Sequence, residues 1–251
     1  MLAKPGGDAL FGTFCKTHSP QLIEILGYSG FDFCVIDWEH GAYDQNLTEN
    51  LVRAAEVAGI APIIRVPSNE PYFLSHALDS GADGVLVPQV MDAEGARKAV
   101  KGAKFAPVGS RGTDPSARSA KFSVMPQQEY FRRANEETML IIQVEGEAAL
   151  EELDDILQVP GLDAVFIGPY DLSQSLGIPG EIDHPRVTEA METVVDKCRS
   201  REMMVATFAD DATTGRQWAR AGVQMIAASV DVHLFLTACQ KMQKQWRETA
   251  D

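Results

Sequence analysis

The stretch "FCVIDWEHGAYDQNLTENLVRAAEVAGIAPIIRV", residues 33–66, carries two short apolar runs on either side of a longer amphipathic one. "FCVID" (33–37) and "APIIRV" (61–66) stay apolar until their last positions, the composition of strands covered on both faces. Between them, "NLTENLVRAAEVAG" (46–59) repeats apolar residues every three to four positions and stops at Gly59, which predicts a helix and its terminator. Strand, helix and strand in that order make one parallel crossover unit.

The unit recurs along the chain. Further strand candidates are "ALFGTF" (9–14), "GVLVPQV" (84–90), "MLIIQVE" (139–145), "AVFIG" (164–168), "MMVATF" (203–208) and "MIAASV" (225–230), which brings the total to eight. Eight such units in 251 residues fit a (β/α)8 barrel of the TIM type better than a doubly wound sheet. No linker or low-complexity tract divides the chain, so residues 1–251 are expected to form a single barrel domain. One interval is too long for a simple connection. Residues 91–138 include "GSRGTDPSARSAKFS" (109–123), a functional or mobile excursion by its length, or a surface one with some helix.

The totals narrow the partners. With 36 acidic against 22 basic residues, the formal charge of −14 opposes nucleic acid and anionic membrane and favours a small molecule. No apolar run is long enough to span a bilayer, and the N-terminus "MLAKPGGDALFGTF" lacks secretion-signal chemistry. Cys15, Cys34, Cys198 and Cys239 are scattered without metal-ligand spacing, so reduced thiols and a cytoplasmic location are expected.

In such a barrel the chemistry belongs to the C-terminal ends of the strands. Those positions here hold Asp37, Glu39 and His40 after the second strand and Arg65 on the third. Gln89 follows on the fourth, Gln143 and Glu145 on the fifth, and Asp171 past the sixth. Glu145 and Asp171 sit one strand-to-strand step apart. Adjacent strands are about 4.8 Å apart, so the two carboxylates could share one hard cation such as Mg2+ or Mn2+, or simply be solvated. Gln143 faces the same side as Glu145 and either orients a ligand or fills a polar layer. Arg65, charged within an apolar run, needs a salt bridge or a developing oxyanion. "GPYDLSQSLG" (168–177) opens on a Gly168–Pro169 turn, whose N–H groups at Tyr170 and Asp171 suit a small carboxylate or a plain helix cap. Asp37 and His40 can converge into an oriented base only if the chain turns at Gly41; otherwise His40 is a loop histidine.

In order, "VIDWEHG", "IIRVPSNEP", "ALDSGADGVLVPQV", "GSRG", "IIQVEG" and "AVFIGPYDLSQSLG" resemble the HpcH/HpaI aldolase/citrate lyase family, in its class II metal-dependent pyruvate aldolases. The resemblance spans nearly the whole chain. It implies aldol cleavage or condensation of a 4-hydroxy-2-oxo acid, giving pyruvate or hydroxypyruvate plus an aldehyde, with Mg2+ or Mn2+ and with Co2+ as a further candidate. On this resemblance Glu145 and Asp171 are metal ligands and His40 is the acid/base. Asp79, in "LDSG", is the carboxylate that raises the basicity of His40, and Asp37 belongs to the same dyad region. Arg65 stabilises the enolate oxygen. Gln143, Gly168, Pro169, Tyr170 and Asp171 hold the oxo acid. A hexamer built from three dimers that exchange a C-terminal helix, here "DVHLFLTACQKMQKQWRET" (231–249), is implied as well.

Departures from the family pattern are Trp38 and Tyr170, both bulky and both expected near the pocket, where they would alter the choice of aldehyde. Arg111 and Arg118 could contact an acidic aldehyde, or could simply be solvated. Three rivals remain: a Schiff-base aldolase using Lys16 or Lys121, a lyase acting on CoA esters, and a catalytically silent binding barrel.

Overall fold

A computed structural model describes residues 8–248 apart from Tyr43. The strands are β1 (Leu10–Cys15), β2 (Phe33–Asp37), β3 (Ala61–Arg65), β4 (Gly84–Val87), β5 (Met139–Val144), β6 (Ala164–Ile167), β7 (Met204–Ala209) and β8 (Met225–Val230). They close in sequence order, and every pairing is parallel, including β1 with β8. The expected (β/α)8 barrel is the fold. The fourth strand ends at Val87, short of the expected residue 90, because Gln89 turns the chain with a φ of 56°.

The helices are α1 (Pro20–Tyr28), α2 (Gln45–Ala58), α3 (Pro71–Asp79), α4 (Ala93–Ala103), α5 (Gln127–Glu137), α6 (Glu147–Glu151), α7 (Leu153–Ile156), α8 (Pro169–Ser175), α9 (Pro185–Ser200), α10 (Ala212–Ala221) and α11 (Asp231–Glu248). α2 shows why the sequence folds as read. Asp44 caps its N-terminus by accepting from Asn46 N–H at 2.8 Å, and Gly59 ends it in the left-handed region at φ 71°. Leu51, Val52 and Ala55 are buried on the barrel side.

Alternation along the strands divides the core. Phe14, Phe33, Val35, Ile63, Leu86, Ile141 and Phe166 fill the barrel interior, and the intervening residues pack outward under the helices. Each fully buried side chain of this size contributes about 1.5–3 kcal/mol. That packing makes a rigid floor on which polar groups can be held. The long 91–138 interval contains α4, a 3-10 turn at Arg118–Ala120 and α5, with irregular chain between them. Among the described residues, no helix is long and apolar enough to cross a membrane. Cys15, Cys34, Cys198 and Cys239 are free thiols, the first three of them buried.

Candidate active site

Asp37 and Arg65 are paired by strand register and both point inward, one layer above the apolar floor. Arg65 donates from Nε to Asp37 Oδ1 at 2.9 Å and from Nη2 to Oδ2 at 2.8 Å, a bidentate fork. Its remaining nitrogen, Nη1, lies 3.0 Å from Glu39 Oε2, and the guanidinium stacks on Phe14 at 4.8 Å. Burial would push the Asp37 carboxyl up, but the hydrogen bonds and charge of Arg65 outweigh it and hold the group below its ordinary value. Glu39 is raised, because burial outweighs the attraction of Arg65 and His40.

The turn after β2 gives His40 its place. Asp37 Oδ1 accepts from the backbone N–H groups of Glu39 and His40 at 3.1 and 3.2 Å, which folds the chain tightly. Gly41 is required there, since a Cβ would lie 2.1 Å from the Asp37 carbonyl oxygen. The chain therefore does turn at Gly41, but Asp37 holds the backbone of His40 and not its imidazole. That corrects the expected side-chain dyad: the strong cation Arg65 takes both carboxylate oxygens. The His40 side chain is half exposed at the mouth, with Nε2 4.0 Å from Glu39 Oε2.

Glu145 follows β5 and is buried. Its Oε1 accepts from the Gln89 backbone N–H at 2.8 Å, and its Oε2 accepts from Gln143 Nε2. Burial, opposed by the Gln89 amide and reinforced by the negative charges of Asp171 and Glu39, raises its pKa to about 7. Among the described residues, neither Glu145 nor Asp171 has a basic partner at salt-bridge distance. Among the described residues, no three His, Cys, Asp or Glu side chains converge as a closed cage. Gly168 lies so close that a Cβ would stand 2.8 Å from Glu145 Oε2 and 2.9 Å from Gln143 Nε2. Gln143 Oε1 is buried without a partner. Two uncompensated carboxylates and an unused amide oxygen facing a cleared space fit a hard divalent cation that takes its remaining ligands from substrate and water. Gln143, Glu145 and Asp171 would hold it.

Gln143, Gly168 and Asp171 open onto a cavity of about 650 Å3, also lined by Phe14, Lys16, His40, Arg65, Phe166, Pro169, Tyr170, Phe208, Asp210, Ser229, Val230 and His233; Glu145 lies buried behind Gln143 and Gly168. The Tyr170 hydroxyl donates to Asp210 at 2.9 Å, and its ring meets Phe208 edge-on at 6.0 Å. Burial and the Asp210 carboxylate push the Tyr170 hydroxyl up to about 12, so it stays a donor.

Four expectations are not met. Asp79 closes α3 and pairs with Arg111, which also reaches Tyr130 and stacks on Phe105. Within the chain it is therefore not brought to His40: α3 returns the chain to the N-terminal end of the barrel. Arg118 pairs there with Glu56 and the Ser80 carbonyl, so neither arginine of the long segment reaches the mouth. Both line a separate cavity of about 460 Å3, together with Lys121. Trp38 points outward, buried beneath α2, and donates from Nε1 to Thr48 Oγ1 at 3.1 Å; it does not shape the pocket. Tyr170 does line it, as expected. Sequence reasoning assigned no role to Gln89, Asp210 or His233 at the site. The only signal for any of them was the Gln89 position at a strand end.

Residues 10–238 match the HpcH/HpaI aldolase/citrate lyase family. The hydroxypyruvate/pyruvate aldolase of Roseovarius nubinhibens is 32% identical over 246 residues, 98% of this chain and 95% of that protein. The 2-keto-3-deoxy-L-rhamnonate aldolase of Salmonella dublin is 36% identical over 234 residues, 92% and 86% of the two chains. A crystal structure of a family member from Burkholderia cenocepacia J2315 superposes with a TM-score of 0.91 at 33% identity, covering 97% of this chain and 96% of that one. The chain belongs to the HpcH/HpaI aldolase/citrate lyase family. It is a carbon–carbon lyase of the aldolase type, and its reaction is aldol cleavage or condensation.

Proposed function

We propose that the enzyme cleaves and forms 4-hydroxy-2-oxo acids, with pyruvate or hydroxypyruvate as the donor and an aldehyde as the acceptor, aided by Mg2+ or Mn2+, or by Co2+. The observation that carries this reading is the buried carboxylate of Glu145, beside Asp171 and Gln143, without a cationic partner at salt-bridge distance among the described residues. A divalent cation bound there would withdraw electron density from the carbonyl and carboxylate of a 2-oxo acid and so acidify the adjacent C–H bond.

The chain's own residues supply the rest. Arg65, fixed by Asp37 and Glu39, presents positive charge where the carbonyl oxygen becomes anionic. Gln143 orients the oxo acid, and the first-turn N–H groups of α8 at Tyr170 and Asp171 bind its carboxylate. Gly168 and Pro169 shape that turn. In the cleavage direction His40 removes the C4 hydroxyl proton, the C3–C4 bond breaks with its electron pair left on the donor half as the enolate, the aldehyde leaves, and a proton taken up at C3 yields the free oxo acid. In condensation His40 returns the hydroxyl proton. Phe14, Phe166 and Phe208 exclude water from the floor.

The acting form is a homo-oligomer, a hexamer built as a trimer of dimers that exchange α11, in the cytoplasm. The support is α11 itself, which exposes Val232, Leu234, Phe235, Leu236, Met242 and Trp246. The experiment is an aldol assay with pyruvate and with hydroxypyruvate against a panel of aldehydes, run beside a CoA-thioester cleavage assay. Aldol product from either donor is expected. Thioester cleavage without aldol product would replace this reading with the CoA-ester lyase one.

A further inference from the structure

The oxo-acid groups occupy the β2, β3, β5 and β6 side of the mouth, and they leave the β8–β1 wall without a role. That wall carries two basic side chains, Lys16 and His233. Lys16 stands two residues beyond Phe14, so strand alternation aims it into the cavity one level above the Phe14 ring. His233 lies in the first turn of α11.

A buried clamp fixes their relation. Asp231, the first residue of α11, accepts from the Lys16 and Thr17 backbone N–H groups at 3.0 Å each and from the Thr17 hydroxyl. It is only 5% exposed, so the β1–α1 turn and the start of α11 are pinned together, and both basic groups share one rim. Among the described residues, no carboxylate lies at salt-bridge distance from Lys16. Of the two carboxylates that line the cavity among the described residues, Asp171 belongs to the oxo-acid side, and Asp210 stands on the β7 side engaged by the Tyr170 hydroxyl. Charge at the mouth is therefore divided by wall: basic on β8–β1, with carboxylates on the β6 and β7 sides.

We propose that Lys16 and His233 form an acceptor subsite that selects an aldehyde bearing an anionic group, a carboxylate in the simplest case. The inference rests on the aldolase reading above and names the substrate class of that site. An aldehyde carbon approaching the nucleophilic carbon of the donor from above Phe14 and Phe166 has its far end directed at this wall. A carboxylate there gains a charge-assisted hydrogen bond from Lys16.

The test uses the full-length enzyme with saturating pyruvate and measures condensation kcat/KM for glyoxylate and 4-oxobutanoate, each against its methyl ester. The expected acid-to-ester ratio is about tenfold or more for at least one chain length, the scale of one hydrogen bond to a charged group. In Lys16→Gln that ratio falls to within about threefold, and Lys16→Arg retains it. Retention by arginine also excludes imine chemistry at this position, because a guanidinium forms no Schiff base with the donor. A wild-type ratio near one at both lengths overturns the subsite, and this readout does not depend on the folding of any variant. An unchanged ratio in Lys16→Gln overturns the role of Lys16. Solvent deuterium exchange into pyruvate by the wild-type enzyme separates the two failures: its absence sinks the donor reading, whereas exchange with a ratio near one sinks only the subsite.

Discussion

Arg65 sets the charge pattern of the site. Both of its outer edges are occupied, by Asp37 and by Glu39, so it can present its charge to a substrate oxygen without swinging away. Lysine keeps the charge but cannot fork. Arg65→Lys should therefore lower kcat about 10²-fold with little change in KM, the size expected when one oxyanion donor is lost; an unchanged kcat with a raised KM would assign Arg65 to ground-state binding instead. Gly168 is the complementary case, a place where the site needs an atom to be missing. Gly168→Ala puts a methyl group against Glu145 Oε2 and Gln143 Nε2. Titration with Mn2+ should show affinity weakened by about tenfold or more while the melting temperature stays close to wild type. Unaltered affinity would mean that cation binding lies elsewhere.

Glu145 also ties the site to pH. Its ordinary pKa of 4.5 rises to about 7 in the folded chain, so the native state holds the proton more tightly than the unfolded one. The stability this group allows is fully present below pH 4.5, declines between 4.5 and 7, and is lost above. The slope approaches about 1.4 kcal/mol per pH unit inside that window. Thermal melts in EDTA should show the decline, Glu145→Gln should flatten it, and a divalent cation should raise the melting temperature more at pH 7.5 than at pH 5. Parallel melts for wild type and Glu145→Gln would contradict the assignment.

At the scale of elements, the turn following β2 separates roles that looked alike in the sequence. Asp37 and Glu39 serve Arg65, His40 faces the mouth, and Trp38 points the other way to anchor α2. Alternation decides this: odd positions on β2 point inward, and position 38 must pack outward. Trp38→Phe should thus remove one buried hydrogen bond worth about 1 kcal/mol, lowering the melting temperature by roughly 2–4 °C and leaving kcat/KM for every aldehyde unchanged. A change in aldehyde preference would return Trp38 to the pocket. The same parity was available for Lys16, two residues past Phe14, yet a lone lysine at a strand end gives no sign of whether it bonds covalently, pairs or selects.

At the scale of the whole molecule, most of the architecture was legible because the apolar runs in this chain are nearly pure. β2 and β8 fall at Phe33–Asp37 and Met225–Val230, the bounds the sequence alone suggests. The pairing of Arg65 was not legible, since four strand-end carboxylates compete for it, and register with β2 and the turn after it select Asp37 and Glu39. Nor was the position of Asp79. It follows a helix whose direction, away from the mouth, is a property of the closed barrel and not of local spacing. The exposed apolar face of α11 belongs to this scale too. Analytical ultracentrifugation should find a mass near a multiple of 27.4 kDa, and the paired substitution Phe235→Asp with Leu236→Asp should reduce it; a monomeric wild-type enzyme would refute the exchanged assembly.

The central claim is that this barrel mouth converts a 2-oxo acid into a nucleophile with help from a cation at Glu145 and Asp171. Proton NMR of pyruvate in D2O tests it without any knowledge of the aldehyde. The account predicts loss of the methyl signal with enzyme and Mg2+, no loss after EDTA, and none with Glu145→Gln in excess Mg2+. Exchange that persists in EDTA, or in Glu145→Gln, would contradict it.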